Sequence, residues 1–382
     1  MSDFDELMDS LSRTVRGEEI RKAVERPLPT PFQFKWHPVI GCRMNVGVVC
    51  ANCRARKESW EEFQKSTAGY WAAKPTEVTF HDSQLMEPIR YRKPMDIEVA
   101  PLSDLFQPDV SDEIRHKILS VMKNAPQHRF FIQTKNPAFM KHYFKNRTKL
   151  EWPLPNVWVG TSVEDQASYN TRVPQLMAVP ALHYFLTFEP LLGPIAPEMI
   201  QLDTFDRLWP FRQFVQAYEY MDDKGQRHWS SLDAEPLMHT PRIEWIHIGG
   251  ARGADARPPH PAWVRKIIGL AAGQGIPVWF SGFGEYAQIN KPDLAADETL
   301  LFVSERGEYR GRGAGSPTNL LASRIDGEVS ETMTQKTVPA RRLLLDGKHY
   351  LDRAPQPVTM PAATLDSVQA LAARLAKAKA KI

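Results

Sequence analysis

The sequence predicts an α/β fold, a partial or full (βα) barrel with an inserted segment and extended termini. From about residue 31 to about residue 290, short apolar runs rich in β-branched and aromatic residues alternate with amphipathic segments. Strands that alternate with helices indicate βαβ units and a parallel sheet. Six or more such units within about 260 residues favour a barrel over a short doubly wound sheet.

The individual elements follow from this alternation. The predicted strands cover residues 32–36, 77–80, 96–100, 129–133, 157–160, 183–187, 245–248 and 278–280. The clearest amphipathic segments are 112–124, with Ser111 as its N-cap, 166–176 and 262–272. In such a fold the functional groups lie at the carboxyl ends of the strands, so the residues just after each strand are the candidates for a site.

The chain divides into three regions. Residues 1–30 form a charged N-terminal arm, and residues 31–300 form the barrel. An insertion at about 201–242 is rich in aromatic and charged residues, as expected of a lid or subdomain. Residues 301–382 lose the α/β rhythm and form an extension that ends in a basic helix.

Composition and charge exclude some classes of protein. The 382 residues are 42% hydrophobic, which is enough for a sizeable core, and the net charge is only +3. This balance permits nucleic-acid binding without arguing for it. There is no apolar run of about 18 residues and no basic, apolar leader, so we expect no membrane span and a cytoplasmic location.

The three cysteines are the most informative feature. Cys42, Cys50 and Cys53 lie within twelve residues, spaced C-x7-C-x2-C, in the loop after the first predicted strand. In a reducing compartment such a cluster favours a metal site over disulfides. Three thiolates can hold three irons of a [4Fe–4S] cluster and leave the fourth iron open for a small molecule. The alternative is a structural zinc site completed by His37.

Seven ordered motifs extend this interpretation: KWHPVIGC…CANC, PLSDLF, FIQTKNP, NVWVGTSVEDQ, FEPLLGPI, IHIGGARGADARPPHPAWVR and FSGFGEY. Over roughly residues 31–290 the chain resembles a phage-associated three-cysteine family allied to radical S-adenosylmethionine (SAM) enzymes. The resemblance implies a barrel of the radical SAM type. It also implies a [4Fe–4S] cluster on Cys42, Cys50 and Cys53, with SAM bound at the open iron and cleaved to a 5′-deoxyadenosyl radical.

The same resemblance implies a SAM pocket at the strand ends. Its candidate residues are Ser103, Asp104, Thr134, Lys135, Ser162, Glu164, Glu189, Gly249 and Gly250. Asp104 would accept a hydrogen bond from the ammonium group of SAM, Lys135 would pair with its carboxylate, and Ser162 and Glu164 would reach the ribose. The alternatives are N-caps for Asp104 and Ser162, a surface charge for Lys135 and a tight turn for the glycines.

For function, the resemblance implies an isomerase that acts on an amino-acid-modified thymine in phage DNA, a hypermodification that protects viral DNA from host restriction. Its partners would be a nucleic acid or nucleotide substrate and an electron donor, in the host cytoplasm if the gene is phage-encoded. One alternative is a lyase or repair enzyme resembling spore photoproduct lyase. Another is a zinc-stabilised nucleic-acid-binding protein without catalytic activity.

Overall fold

The fold is given by a computed structural model. It describes residues 30–43, 53, 76–197, 200–201, 207–208, 217–221, 227–231, 242–251, 256–284, 286–288, 300–306, 309–312, 330–334, 344–346 and 348–355. The predicted N-terminal arm, apart from residue 30, and the predicted terminal basic helix lie outside these residues.

The strands in chain order are β1 (Phe34–Trp36), β2 (Val39–Ile40), β3 (Thr79–Phe80), β4 (Asp96–Val99), β5 (Arg129–Thr134), β6 (Val157–Ser162), β7 (His183–Phe188), β8 (Ile200–Gln201), β9 (Arg207–Leu208), β10 (Ala217–Met221), β11 (Arg227–Ser231), β12 (Ile243–Ile248), β13 (Val278–Phe280), β14 (Ala287–Gln288), β15 (Leu300–Ser304), β16 (Tyr309–Arg312) and β17 (Ser330–Thr334). The helices are α1 (Asp82–Leu85), α2 (Glu87–Arg90), α3 (Asp112–Lys123), α4 (Pro137–Asn146), α5 (Gln166–Met177) and α6 (Pro261–Ala272).

A seven-stranded parallel sheet organises the molecule. Its order is β1-β4-β5-β6-β7-β12-β13, so each strand pairs with the sheet strands that precede and follow it along the chain. Strands added one after another in the same direction build a half-barrel. The prediction of an α/β fold with a partial (βα) barrel is therefore confirmed at this level. The predicted strand at 77–80 forms β3, which pairs antiparallel with β2 outside this sheet.

The long helices begin where the sequence supplies a capping side chain. Ser111 accepts a hydrogen bond from the amide of Ile114 at the start of α3, as predicted. Asn136 accepts one from Phe139 at α4, and Asp165 forms a capping box with Ser168 at α5. These helices cross between the strands β4 to β7 and keep successive strands parallel.

The two faces of the sheet bury different side chains. The face covered by helices contains aliphatic and aromatic residues of alternate strand positions, packed against α3 to α6. The opposite, concave face carries a separate aromatic cluster that contains no helix residue. We call it the aromatic floor: Phe32, Phe131, Trp158, Phe185, Trp245 and Trp279. The contacting ring pairs among Phe32, Phe131, Trp158, Phe185 and Trp245 have centroids 5.2–5.8 Å apart, within the range of favourable aromatic contacts.

A late segment of the chain covers the aromatic floor. Residues 348–355, which we call the return strap, run antiparallel to β13 through a bridge between Trp279 and Leu351. The amide of Phe280 donates to the carbonyl of Tyr350 at 2.7 Å, and Trp245 Nε1 donates to the carbonyl of Asp352 at 2.9 Å. Part of the predicted C-terminal extension thus packs on the barrel.

Antiparallel strands account for the remaining described elements. Within the predicted insertion at 201–242, β8 (from residue 200) pairs with β9 and β10 pairs with β11. Beyond the barrel, β14, β17, β15 and β16 form a four-stranded antiparallel sheet. Among the described residues, no helix is long and apolar enough to cross a membrane.

The return strap generates a testable prediction about stability. Arg129 makes a bidentate pair with Asp96 at 2.6 and 2.8 Å and donates to the carbonyls of Ala354 and Pro355. Arg129→Ala should lower the free energy of unfolding by about 3 kcal/mol, because the buried Asp96 carboxylate loses its bidentate partner and keeps only the more distant contact with Arg353, at 3.9 Å, among the described residues. Urea unfolding followed by tryptophan fluorescence measures the change.

Lys123→Ala is the matched control for this prediction. Lys123 lies 3.9 Å from Glu151, and both side chains are largely exposed. Such a pair contributes about 0–1 kcal/mol. An Arg129→Ala variant as stable as Lys123→Ala would contradict the assigned role of the strap contacts.

Candidate functional site

The first cysteine follows a turn at Gly41, directly after β2 and next to the segment that follows β4. Gly41 has φ +86°, and a Cβ atom there would lie 1.9 Å from the carbonyl oxygen of Glu77, so only glycine fits. The carbonyl of Gly41 accepts hydrogen bonds from Ser103 Oγ at 2.7 Å and Gln107 Nε2 at 3.1 Å. The amide of Arg43 donates to Gln107 Oε1 at 2.9 Å. Residues on both sides of Cys42 are therefore anchored to the segment after β4.

The cysteine cluster is described only in part. Cys42 and Cys53 are partly exposed and not joined to each other by a disulfide, whereas Cys50 lies outside the described residues. Within the described ranges no three His, Cys, Asp or Glu side chains come close enough to hold a metal ion. Burial, the Lys35 ammonium and nearby His81 lower the pKa of His37 to about 4, so its imidazole is neutral at pH 7.

Asp104 joins the ends of two neighbouring strands. One carboxylate oxygen accepts from Thr134 Oγ1 at 2.7 Å and from the amide of Phe106 at 2.9 Å. The other accepts from the amide of Lys135 at 2.8 Å. Burial raises the pKa of Asp104, although these hydrogen bonds act in the opposite direction. The carboxylate thus fixes the loop after β5 to the loop after β4.

A chain of charged groups continues along the sheet edge. Lys135 Nζ donates to Ser162 Oγ at 2.6 Å and to Glu164 Oε1 at 2.8 Å. Arg172 Nη1 donates to Glu164 Oε2 at 2.7 Å and to the carbonyl of Ser162 at 2.8 Å. Burial by itself would raise the pKa of Glu164, but the two cations outweigh it and lower the pKa below its usual value. Two cations thus surround one carboxylate.

A third group of side chains lies at the carboxyl ends of β7, β12 and β13, on the side of the sheet away from β1. Glu189 follows β7, and one of its oxygens lies 3.1 Å from His247 Nε2 and 3.3 Å from Ser281 Oγ, which donates to it. A Cβ atom on Gly249 would lie 2.3 Å from Ser281 Oγ and 2.7 Å from Glu189 Cδ. Glycine at position 249 therefore allows these side chains to meet.

The structure brings most of the predicted site residues to one edge of the sheet. Asp104, Thr134 and Lys135 contact one another, and Lys135 contacts Ser162 and Glu164. Ser103 contacts the cysteine loop instead, and Glu189 lies beside Gly249. The amide of Gly250 donates to the carbonyl of Gly282, so Gly250 allows two backbone segments to approach each other closely. Asp104 and Ser162, whose alternative role was an N-cap, do not cap a long helix; the cap of α5 is Asp165.

Sequence reasoning missed four residues of this edge: Gln107, Arg172, His247 and Ser281. The His247 ring is partly exposed on the concave face and stacks with Trp245. The alternation of side chains in β12 indicates that His247 lies on the concave face, because it follows Trp245 by two residues. Nothing in the sequence pattern marks Arg172, which reaches the edge from inside α5.

The fold and the site define a parallel α/β half-barrel protein with a charged network along the carboxyl edge of its sheet. A family model described as "Protein of unknown function (DUF5131)" matches residues 32–355, and the chain belongs to this family. No curated protein and no solved structure matches the chain.

The charged network predicts a pH-dependent effect of substitution. Glu164→Gln should lower the free energy of unfolding by about 3 kcal/mol or more at pH 7, because two buried cations lose their counter-ion. The folded-state pKa of Glu164 is lowered, so its contribution is present above its unfolded value of 4.5 and is lost as pH falls through the folded value. The difference from wild type should therefore shrink below about pH 4.5.

Chemical denaturation at several pH values between 3 and 8 checks this prediction. The control is Glu113→Gln, which removes an exposed carboxylate 3.1 Å from Lys117 and should change stability by about 0.5 kcal/mol or less. A loss in Glu164→Gln that does not depend on pH would contradict the proposed balance of charges.

Proposed function

We propose that the protein is a radical SAM enzyme that holds a [4Fe–4S] cluster on Cys42, Cys50 and Cys53 and binds SAM along the carboxyl edge of its parallel sheet. When bound and reduced, the cluster would supply the electron that cleaves SAM to a 5′-deoxyadenosyl radical. The observation that carries the proposal is the loop geometry: Cys42 follows a tight turn anchored at the edge where the charged network lies.

Two of the three cysteines are described, and their side-chain chemistry supports this part of the proposal. Cys42 and Cys53 are partly exposed. Cys42 directly follows Gly41, which forms a parallel bridge with Ser103 beyond the carboxyl end of β4. Thiolates are the protein ligands that iron–sulfur clusters require, and the remaining iron needs a ligand from a small molecule. In a parallel α/β fold this edge is also where ligands bind.

The charged network would orient SAM. Lys135, whose side chain is 20% exposed, presents an ammonium group that Glu164 and Ser162 hold in place. With Arg172 it places two cations beside Glu164, and its partly exposed ammonium group is available to a carboxylate. Asp104 would act indirectly, since its oxygens already bind the loops that carry Lys135 and Thr134.

For the substrate we propose an amino-acid-modified thymine of phage DNA, isomerised by hydrogen abstraction, rearrangement and hydrogen return. The support comes from the resemblance of the seven motifs and from a mildly basic chain of net charge +3. A base in duplex DNA must leave the stack to reach the concave face, which costs a few kcal/mol. The aromatic insertion at about 201–242 would be the surface that stacks on it.

Two other functions remain candidates. A lyase or repair enzyme would use the same cluster and SAM on a different nucleobase. A nucleic-acid-binding protein would instead hold zinc, with His37 as the fourth ligand. His37 lies five residues before Cys42, and its imidazole is neutral at pH 7, the form that binds zinc. Metal analysis separates the two classes.

Anaerobic reconstitution tests the proposal. We expect about four irons and four sulfides per chain and formation of 5′-deoxyadenosine from SAM with dithionite. Cys42→Ala, Cys50→Ala and Cys53→Ala should each abolish the iron content and SAM cleavage, while far-ultraviolet circular dichroism retains the barrel signal. One tightly held zinc, no cleavage, and loss of zinc in His37→Ala would replace the proposal with the zinc-stabilised protein.

Lys135 provides a second prediction for the same site. Lys135→Gln should weaken SAM binding about tenfold or more without loss of iron, because it removes the cation for the carboxylate. Lys149→Gln, an exposed lysine outside the network, is the control and should bind SAM as wild type does. Equilibrium binding of SAM to the reconstituted protein measures both; an unchanged affinity in Lys135→Gln would remove this assignment.

A further inference from the structure

The far end of the sheet edge differs in chemistry from the end that carries Lys135. Glu189, His247 and Ser281 come from the ends of β7, β12 and β13, at the opposite side of the half-barrel from the cysteine loop after β1. The Glu189 side chain is 26% exposed and that of His247 13% exposed. We call these three residues the acceptor corner.

Within the described part of the chain, the corner has more hydrogen-bond acceptors than donors. Its backbone donors are used within the protein: the amide of Gly249 donates to Phe188, that of Gly250 to Gly282 and that of Ser281 to Ile248. The Ser281 hydroxyl has one proton, shared between Glu189 Oε2 and the carbonyl of Ile248.

The carboxylate itself supplies the surplus. Its Oε2 atom is within 3.3 Å of both Ser281 Oγ and His247 Nε2. Among the described residues, no donor contacts the other oxygen, Oε1, of Glu189. A carboxylate can accept about four hydrogen bonds. The ligand that complements the corner must therefore bring donors, and a positive charge would strengthen the contact.

A protonated amine meets this requirement better than a metal ion. An ammonium group offers three donors and one positive charge. Divalent cations need several oxygen or nitrogen ligands, and within the described ranges no three such side chains converge at this place. The two ends of the edge therefore differ: Lys135 and Arg172 place cations beside Glu164, whereas the side-chain contacts of Glu189 among the described residues are a histidine and a serine.

We propose that Glu189, positioned by His247 and Ser281, binds a protonated amine on the substrate. The identity of the amine as part of a modified nucleobase rests on the function proposed above. The selection of a cation by the acceptor corner does not depend on that function. The two ends of the edge would then hold different ligands, with SAM near the cysteine loop and the amine-bearing group across the concave face. Glu189 becomes a specificity-determining residue.

The experiment compares two nucleosides of nearly equal size, 5-aminomethyl-2′-deoxyuridine and 5-hydroxymethyl-2′-deoxyuridine. Titration calorimetry measures the affinity of the reconstituted full-length protein for each. We expect wild type to bind the amine about tenfold or more tightly than the alcohol, the difference that a charge-assisted hydrogen bond provides. Glu189→Gln should reduce this ratio to about one.

The matched control is Glu244→Gln. Glu244 also contacts a histidine, His183, at 3.2 Å, but at the opposite ends of the same two strands. The Glu244→Gln variant should keep the wild-type ratio of affinities for the two nucleosides. A ratio of two affinities does not depend on the fraction of folded protein, so partial misfolding of a variant does not imitate the expected result.

The outcomes separate this inference from the proposed function. Tenfold selection of the amine that vanishes in Glu189→Gln supports the inference even if the protein holds zinc and cleaves no SAM. Equal affinity of wild type for the two nucleosides, binding of neither, or selection that persists in Glu189→Gln overturns it, even if the iron content and SAM cleavage are as proposed.

Discussion

Seven strands that all run in one direction bring their carboxyl ends to a single edge, and the candidate site depends on this constraint. Each strand needs a crossover before the next can pair, and that crossover leaves a loop at the edge. Residues that are 29 to 62 positions apart in sequence then become neighbours. Gly41 contacts Ser103, Thr134 contacts Asp104, and Lys135 contacts Glu164 for this reason.

Polar contacts at this edge form a connected series. Ser103 and Gln107 anchor the cysteine loop, Asp104 binds the loop after β5, and Lys135 reaches Ser162 and Glu164 after β6. Each link joins one strand end to the next, so the loops support one another without regular secondary structure. A site built in this way is held rigid before any ligand binds, which reduces the cost of binding.

The amino ends of the strands carry contacts that stabilise the fold. There Arg129 pairs with Asp96 and, together with Trp245, binds backbone carbonyls of the return strap, so that the aromatic floor is covered. The concave face therefore changes along its depth from aromatic rings to polar groups. His247 lies two residues beyond Trp245 on the same strand, where the aromatic part of the concave face meets the polar part. Stability and candidate chemistry thus occupy opposite ends of the same strands.

The sequence by itself determined the local structure and the class of fold. Runs such as RFFIQT and VWVGTS are buried along their whole length or nearly so and predict central parallel strands, and Ser111 predicts the start of α3. The rule that sites follow strand ends also identified Asp104, Lys135 and Glu189. Local patterns suffice for these features because burial and capping act over a few residues.

Only the tertiary structure decided which of these residues meet and what accompanies them. The sequence offers no reason to join Arg172 to Glu164, or Arg129 to the carbonyl of Ala354, 225 residues later. Strand periodicity separates the two faces of β12 but does not show that the concave face becomes polar at His247. Periodicity is a property of neighbouring residues, whereas a charged network depends on the order in which the strands pair.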